Sequence, residues 1–412
     1  MTTDSDMDMD ERIKLLQVNV AGRLSGQSLQ QSGFEYRYLQ ADPAQPVVGL
    51  LMPPARLTWH DGALFPVMDQ NLPEGDLFNR LRQQFPKQAM TAMRLLALIG
   101  DNGIGRLGYR VPGGAAPAAG VPIARQTLLR MPFTVQVFDE LVRAYLATGI
   151  GVAGMQPKIM VPDRATIPIP NLIVKTAGAG YPGLTANEYL CMTAAARAGI
   201  DAAKVELSDD GQLLLVERFD FDADGQRLGF EDVASLMGLR VRDTLSERKY
   251  HGSYQRIAEL LGMITGNRRD LQRFYEQLAF SIMVGNGDAH LKNFGVLYRG
   301  VSDDIRLAPM FDVVTTRIYR YQRSPGGPEL EDHSMALRLW SGKAQRSKAY
   351  PLPEELRRFG RDVCGVRDPQ APLDRIAAAM ADTLHAAADP RIPAGLLARL
   401  RPVWENGIRY GQ

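Results

Sequence analysis

Apolar positions near the start of the chain occur in short runs that glycine and proline interrupt, a pattern typical of short strands joined by turns. The predicted strands are residues 15–20, 34–39 and 47–52, separated by Gly22, Gly26, Gly33 and Pro43. Two stretches with helical spacing follow, at residues 74–85 and 88–98, and then a strand at residues 106–111. We therefore predict a small β-rich subdomain over residues 12–111, after an acidic, disordered lead-in at residues 1–11.

The pattern changes after this subdomain. Residues 112–122 are rich in proline, glycine and alanine and predict a linker. A helix at residues 133–147 follows, and a mixture of strands and helix extends to residue 225. The remaining predicted helices are residues 230–239, 254–263, 270–284, 354–359, 372–388 and 393–405. We therefore predict an α+β fold, in which a mixed lobe at residues 123–225 precedes an all-α C-lobe at residues 226–412.

Length and charge limit the possible classes of protein. A chain of 412 residues is too long for a single core and predicts two or three subdomains. Its net charge of +2 creates no global field for nucleic acid or an anionic membrane, so any DNA contact must be local. The two cysteines lack metal-ligand spacing and suit a reducing compartment. No stretch resembles a signal peptide or a membrane span, which predicts a soluble cytoplasmic protein without a membrane partner.

Candidate chemistry is concentrated in a polar stretch at residues 286–294, which lies between an apolar helix and an apolar run. Asp288 and Asn293 are five positions apart, the spacing of a kinase catalytic loop. In such a loop the carboxylate orients the acceptor hydroxyl, and the amide oxygen binds Mg²⁺. Asp312 follows as the candidate second metal ligand, and His290 joins Asp288 in the predicted catalytic set. Asn-Gly and Gly-Asp are also ordinary turn formers, so the prediction depends on its context.

A glycine-rich stretch at residues 149–154 reads G-x-G-x-x-G, a pattern that Rossmann folds share with kinase glycine loops. A dinucleotide site needs a strand before the glycines, whereas here a predicted helix precedes them and the apolar run 159–161 follows. That order favours a loop over nucleotide phosphates, with a glycine helix cap as the alternative. The predicted ATP contacts here are Gly151, Val152, Ala153, Gly154, Gln156 and Lys158, to which Lys292 of the polar stretch is added.

Further features occur in the order of a kinase small lobe. Lys175 ends an apolar strand, as a phosphate-binding lysine does, and Glu188 lies one turn inside the next helix, where it can pair with Lys175. The alternatives are an ordinary strand end and an acidic residue that stabilises a helix dipole. A later apolar strand turns abruptly polar, which predicts a hinge that meets adenine through Glu217, Arg218 and Phe219. A surface ion pair between Glu217 and Arg218 is the alternative.

With these motifs in place, the chain resembles the HipA family of bacterial serine/threonine kinases, the toxins of type II toxin–antitoxin pairs. The resemblance spans nearly the whole chain. Its motifs are residues 152–158 (VAGMQPK), 287–294 (GDAHLKNF) and 307–312 (LAPMFD), together with Leu72-Pro73 and residues 103–108 (GIGRLG) of the first subdomain. The resemblance implies a bilobal protein-kinase-like fold with ATP and Mg²⁺ as cofactors. It assigns Asp288 as base, Asn293 and Asp312 as metal ligands, Lys175 as phosphate-binding lysine, and Glu217 and Phe219 to the adenine pocket.

The resemblance also implies partners. Such kinases bind a small helix-turn-helix antitoxin, and operator DNA through it, while the free toxin phosphorylates an aminoacyl-tRNA synthetase, in the best-known case the glutamyl enzyme. This chain departs from many family members in having Gly151 where they carry an autophosphorylated serine. We therefore expect no self-inhibition through a phosphate at this position, because glycine has no hydroxyl.

Competing readings share parts of this pattern. Small-molecule kinases of the aminoglycoside and choline type use the same loop chemistry, so the loop alone does not exclude them. A DNA-associated co-repressor scaffold is a third possibility, but it would have no need of Lys175, Asp288, Asn293 and Asp312. The basic, aromatic stretch at residues 317–348 is either a contact for phosphate backbone or a solvated face.

Overall fold

The structure is a computed structural model of the chain. The residues that it describes are 13–42, 46–84, 88–114, 122–148, 156–164, 169–178, 180–240, 243–300, 304–322, 327–331, 333–342 and 347–411. Among them, no helix combines the length and the hydrophobicity that crossing a bilayer requires. The cysteines, Cys191 and Cys364, are both buried and reduced.

The N-terminal subdomain is built on an antiparallel sheet of five strands in the order β4-β3-β2-β1-β5. Its elements are β1 (Leu15–Val20), β2 (Arg23–Gln30), β3 (Phe34–Tyr38), β4 (Thr58–Asp61), α1 (Pro66–Asp69), α2 (Gly75–Gln84), α3 (Ala92–Ile99) and β5 (Leu107–Arg110). The apolar faces of α3 and of the sheet form one side of a core that includes Val18, Tyr36 and Leu96. This packing explains the mixture of strand and helical spacing in the sequence.

Strand β2 was not predicted, because its glycines look like strand breakers. Gly22, with φ +79°, and Ala21, with φ +48°, form the two-residue turn that joins β1 to β2. Gly26 lies within β2, where a Cβ atom would come 2.3 Å from the carbonyl oxygen of Arg37 on the neighbouring strand. The predicted strand at residues 47–52 is wrong, because this segment is irregular. Its apolar run reflects burial, since Val47 and Val48 pack into the cores without forming a strand.

A second antiparallel sheet, in the order β6-β7-β9-β8, forms the small lobe. The elements of this lobe are α4 (Arg125–Arg130), α5 (Val135–Thr148), β6 (Lys158–Val161), β7 (Leu172–Thr176), α6 (Leu184–Arg197), β8 (Val205–Leu207) and β9 (Leu213–Glu217). Apolar residues of this sheet and of α5 belong to the same buried cluster as the N-terminal sheet. The two sheets therefore pack against a shared core, on either side of the predicted linker, whose residues 115–121 lie outside the described part.

The C-lobe is mainly helical, and the larger of the two main cores unites its buried residues with those of α6. Its elements are β10 (Gly229–Asp232), α7 (Val233–Leu236), α8 (Tyr254–Thr265), α9 (Arg268–Met283), β11 (Gly295–Tyr298), β12 (Arg306–Leu307), β13 (Arg320–Gln322), β14 (Glu329–Glu331), α10 (Pro353–Asp362), α11 (Gln370–His385) and α12 (Ala394–Ile408), with short 3₁₀ segments at Asp243–Tyr250, Leu291–Asn293 and Thr316–Ile318. The fully buried Trp404 of α12 donates from its indole nitrogen to Thr315 Oγ1 at 2.8 Å, which ties the last helix to the core.

The predicted helix at residues 230–239 is wrong in its first turn. Gly229–Asp232 is strand β10, which pairs with β11 in a three-stranded sheet, and Asp232 then caps the short helix α7 by accepting from Ser235 N at 2.7 Å. The C-lobe therefore contains this small sheet and a two-stranded ribbon of β13 and β14 in addition to its helices. Local periodicity could not indicate β10, because its pairing partner lies far along the chain.

Candidate functional site

Lys175 stands at the centre of an ion cluster between the lobes, in which Lys175 and Glu188 are buried and the side chain of Asp312 is 40% accessible. It lies near the end of β7, and its Nζ is 2.6 Å from Glu188 Oε1 in α6 and 2.8 Å from Asp312 Oδ1 in the C-lobe. Lys175 and Glu188 therefore form the pair that the sequence predicted, and Asp312 joins it. Burial alone would lower the pKa of Lys175, but the two carboxylates outweigh it and the pKa is raised. Lys175 therefore keeps its charge.

Tight packing around two glycines positions the polar loop that carries Asp288. Gly285 follows α9 with φ +72°, and a Cβ atom there would lie 2.8 Å from a methyl carbon of Val403. At Gly287 a Cβ atom would lie 2.7 Å from the carbonyl oxygen of Ser334. Asn286 Oδ1 accepts from Asp288 N at 3.0 Å and closes the turn. The glycines of this stretch thus let the loop lie against its neighbours.

Asp288 presents a partly exposed carboxylate, with 51% of the side chain accessible. The hydroxyl of Tyr250 donates to Asp288 Oδ1 at 2.7 Å. A carboxylate that is accessible and also held by a hydrogen bond can meet an incoming hydroxyl in a fixed orientation, as a general base must. The sequence did not indicate Tyr250, since it lies in a separate 3₁₀ segment with no motif around it.

His290 is buried beside Asp288. Its Nε2 is 4.0 Å from Asp288 Oδ1, and its ring packs edge-on against Tyr250 with centroids 5.1 Å apart. Burial, together with the positive charges of Lys249 and Lys292, lowers the pKa of His290 to about 3. The imidazole is therefore neutral near physiological pH and contributes no positive charge to the site. Its place in the catalytic set stays a prediction.

Asn293 and Asp312 lie side by side, as two ligands of one metal ion would. Asn293 Nδ2 donates to the carbonyl oxygen of Asp312 at 3.4 Å, while Asn293 Oδ1 is buried without a hydrogen-bond partner. A buried oxygen without a hydrogen-bond partner is unfavourable unless a ligand binds to it. Asp312 adopts φ +57°, a left-handed conformation that is uncommon outside glycine and is found at functional sites. The oxygen donors of both residues suit Mg²⁺.

Lys158 supplies a second lysine close to this centre. It lies on β6 directly opposite Lys175 on β7, and it is buried. Burial lowers the pKa of Lys158, and Asp312 opposes that effect. Among the residues that the structure describes, no carboxylate lies within 4.0 Å of Lys158, so its charge lacks a close protein partner. An anionic ligand would satisfy it.

The glycine loop itself falls mostly outside the described residues. Gly151, Val152, Ala153 and Gly154 are among those that the structure does not describe, and their contacts with ATP stay predictions. The elements on either side have the predicted order, with helix α5 before the loop and strand β6 after it. Gln156, at the end of the loop, donates to the carbonyl oxygen of Thr176 at 3.1 Å. The loop therefore leads into the strand that carries Lys158, beside β7.

The predicted hinge residues have three different environments. Glu217 pairs with Arg125 at 2.7 Å, and Arg218 is buried with its guanidinium 2.6 Å from Asp220. The alternative of a surface ion pair between Glu217 and Arg218 is therefore wrong. Arg218 also donates to the carbonyl oxygen of Gly103 in the N-terminal subdomain at 2.9 Å. The side chain of Arg218 is thus engaged by protein groups, and only its main chain could contact a nucleotide.

Phe219 belongs to an aromatic cluster beside the hinge. Its ring centroid is 5.7 Å from that of Phe230 and 5.3 Å from that of Phe311, the residue before Asp312. These rings offer an apolar surface next to the ion cluster, of the kind that a purine base requires. Phe230 and Phe311 were not predicted, because isolated phenylalanines in apolar runs look like core residues.

Lys292, a predicted ATP contact, forms an ion pair with Glu74 of the N-terminal subdomain. The contact spans 218 positions, which no local pattern could indicate. In the basic stretch, Arg320 pairs with Glu331 at 3.0 Å and Arg317 stacks over Tyr350 at 5.1 Å, which is typical of a solvated face. Arg323, Lys343 and Arg346 of that stretch lie outside the described residues.

Clefts of about 570 Å³ and 340 Å³ lie elsewhere, beside the C-terminal end of α6, and none of the predicted site residues lines them. The described residues also contain no group of three or more histidine, cysteine or acidic side chains that could bind a metal without other ligands. A metal at Asn293 and Asp312 would therefore complete its shell with phosphate oxygens or water.

Comparisons with known proteins agree with this arrangement. A family model for the HipA N-terminal domain matches residues 15–110, and one for the HipA-like C-terminal domain matches residues 150–388. Two relatives from Sinorhizobium fredii are named "Putative kinase Y4dM" and "Putative kinase Y4mE". The first is 32% identical in an alignment of 162 positions that covers 36% of this chain and 38% of the relative. The second is 31% identical in an alignment of 225 positions that covers 49% of this chain and 52% of the relative.

The matched parts thus span about half or less of these relatives. A solved structure of HipA from Shewanella oneidensis MR-1, in a toxin–antitoxin complex with HipB and its operator DNA, matches with a TM-score of 0.68 at 17% identity. The match covers 96% of each chain and shows the shared fold. The predicted α+β, kinase-like fold is therefore confirmed. Since the C-terminal family model alone covers more than half of the chain, and the N-terminal model precedes it in the same order, this protein belongs to the HipA family.

Proposed function

We propose that this protein is an ATP- and Mg²⁺-dependent kinase that phosphorylates serine or threonine hydroxyls of a protein substrate. The observation that carries the proposal is the position of Lys175, 2.6 Å from Glu188 and 2.8 Å from Asp312. Protein kinases need a lysine paired with a helix glutamate, and an aspartate nearby that binds the metal ion. The two Sinorhizobium relatives are named putative kinases, which supports the kinase part of the proposal.

Each side chain has a proposed part in this reaction. Lys175 and the buried Lys158 bind the nucleotide phosphates, and the aromatic cluster around Phe219 receives the adenine ring. Asn293 Oδ1 and the carboxylate of Asp312 hold Mg²⁺, which supplies charge neutralisation for the transferring phosphoryl group. Asp288 orients the acceptor hydroxyl and receives its proton. Positioning and electrostatics provide most of the catalysis in such a site.

The proposal extends to partners. We infer that the chain binds a small helix-turn-helix antitoxin and, through it, operator DNA, because the solved HipA of matching fold is in a complex with HipB and its operator DNA. The protein substrate that we propose is an aminoacyl-tRNA synthetase, with the glutamyl enzyme as the first to test. Phosphorylation of such an enzyme would inhibit translation, which is the effect of a toxin. In keeping with these partners, we place the protein in the cytoplasm.

The direct test is transfer of radiolabelled γ-phosphate from ATP. Purified protein is incubated with Mg-ATP and each of a panel of aminoacyl-tRNA synthetases, and in parallel with aminoglycosides and choline. We expect label in one synthetase on serine or threonine, and no label when Asp288→Asn replaces the wild type. Label in a small molecule alone would favour the small-molecule kinase reading. Lack of ATP binding, together with binding to DNA, would favour a scaffold.

A further inference from the structure

The N-terminal subdomain reaches the polar loop through the carboxylate of Glu74, just before α2. Glu74 accepts a hydrogen bond from Lys292 Nζ through Oε1, and its Oε2 is 4.0 Å from Lys249 Nζ. All three side chains are nearly buried, with accessible fractions of 10%, 11% and 9% for Glu74, Lys292 and Lys249. One carboxylate therefore holds two lysines from separate segments of the C-lobe.

One of these segments contains Asp288 and the other contacts it. Lys292 lies in the loop 286–293 with Asp288, and Lys249 immediately precedes Tyr250, whose hydroxyl donates to Asp288 Oδ1 at 2.7 Å. Lys348 holds the second segment as well, since its Nζ donates to the carbonyl oxygen of Tyr250 at 3.0 Å. Through Lys292, Glu74 thus holds the loop that contains Asp288, and through Lys249 it holds the segment whose Tyr250 donates to Asp288.

Loss of the Glu74 charge would leave two buried ammonium groups close together without their shared carboxylate. An unpaired buried charge is strongly unfavourable, and the nearby segments move to relieve it. Asp232 and Asp69 also attract Lys292, so the side chain would shift towards them and away from its present position. Because Lys292 is adjacent to Asn293, this shift would disturb the loop that carries both Asp288 and Asn293.

The docking of the subdomain does not depend on Glu74. Gln70 donates to the carbonyl oxygen of Phe230 at 2.8 Å and accepts from Asp232 N at 3.0 Å. Arg240 pairs with Asp61 and donates to the carbonyl oxygen of Leu64 at 2.6 Å. Removal of the Glu74 charge should therefore change the loop locally and leave the interface in place.

We propose that Glu74 is a positioning residue, through which the N-terminal subdomain holds the loop 286–293 and Tyr250 in the geometry that Asp288 needs. For turnover, this inference rests on the proposed kinase function. In this proposal the N-terminal subdomain affects the rate of phosphoryl transfer, in addition to packing against the two lobes. A partner that moves this subdomain would change the rate of phosphoryl transfer without touching the nucleotide.

The test compares Glu74→Gln with Glu74→Asp and with Asp61→Asn. The last variant is a matched control, because Asp61 is also an N-terminal carboxylate that pairs with a C-lobe cation across the same interface. Amide hydrogen exchange of peptides covering residues 286–293 and 247–252 is measured for the full chain, together with kcat and the KM for ATP. Thermal melts show that each variant is folded.

For Glu74→Gln we expect several-fold faster exchange in both peptides, and a kcat lower by about 10²-fold, the effect of a small misplacement of reacting groups, with a smaller change in the KM for ATP. Glu74→Asp retains the charge and should recover part of the loss, and Asp61→Asn should match the wild type in both measurements. Wild-type exchange and kcat in Glu74→Gln, or equal effects in Asp61→Asn, would overturn the inference. If the wild type transfers no phosphate, the proposed function fails, and the exchange data still decide whether Glu74 positions the loop.

Discussion

Lys175 Nζ donates to Asp312 Oδ1 at 2.8 Å and so connects the small lobe directly to the C-lobe. The same lysine is bound by Glu188, so Asp312 shares its partner with another carboxylate. Burial alone would raise the pKa of Asp312, but Lys175 and Lys158 outweigh it and lower the pKa well below its usual range. Asp312 is therefore ionised across the physiological range, as a Mg²⁺ ligand must be.

Asp312→Ala should weaken the Mg²⁺-dependent part of nucleotide binding, because it removes a formal negative charge from the proposed metal site. The measurement is calorimetry with ATP, with and without Mg²⁺. Asp304→Ala is the matched control, since Asp304 also has a left-handed backbone, with φ +60°, but pairs with Arg306 on the surface. If the affinity for ATP depends equally on Mg²⁺ in the wild type and in Asp312→Ala, Asp312 has only a structural role.

Asp288→Asn should lower phosphoryl transfer by about 10²- to 10⁴-fold, the usual contribution of a general base. The change is nearly isosteric, and the amide oxygen can still accept from Tyr250, so we expect the melting temperature and ATP binding to be unchanged. Turnover is measured with labelled ATP, and binding by calorimetry. A variant with wild-type turnover would remove Asp288 from the mechanism.

Tyr250→Phe should lower kcat by about 10- to 10²-fold and leave the KM for ATP unchanged, because a hydrogen bond to a charged group contributes about 1.5–3 kcal/mol. The ring contact with His290 is retained in this variant, so the hydroxyl alone is tested. Steady-state kinetics with the protein acceptor give the result. A rise in kcat, or a lower KM for the acceptor, would instead mean that Tyr250 competes with the acceptor hydroxyl for Asp288.

Glu231 should make the stability of the protein fall as pH rises. Burial at the interface of the N-terminal subdomain raises the pKa of Glu231 to about 7, although it accepts from Leu50 N at 2.6 Å. A carboxyl group with a raised pKa in the folded state stabilises the fold below its unfolded pKa, and this contribution is lost as pH rises through 7. From the size of the shift, the loss is on the order of 3 kcal/mol.

Glu231→Gln should therefore flatten the decrease in melting temperature between about pH 5 and pH 8, because the amide cannot ionise. Glu405→Gln, a substitution of an exposed glutamate in α12, serves as the control and should leave the decrease as it is. The melting temperature is followed by calorimetry at several pH values. An unchanged pH dependence in Glu231→Gln would show that another group causes it.

The sequence by itself indicated the candidate site residues and determined most of the long helices. Asp288, Asn293, Asp312, Lys175 and Glu188 could be singled out because their types and spacing match the motifs of kinases, and the structure places Lys175, Glu188 and Asp312 in contact. The helices α8, α9, α11 and α12 were predicted within a few residues, since amphipathic spacing over several turns is a strong local signal.

Only the tertiary structure decided the contacts between distant segments. Gly26 looks like a strand breaker, yet it lies inside β2 because the neighbouring strand comes too close for a Cβ atom. Arg218 was predicted at the adenine, and its side chain instead binds the N-terminal subdomain. The pairs Glu74–Lys292 and Tyr250–Asp288 had no local signal at all. Periodicity reports which face of an element is buried, whereas the identity of the partner depends on how remote elements pack.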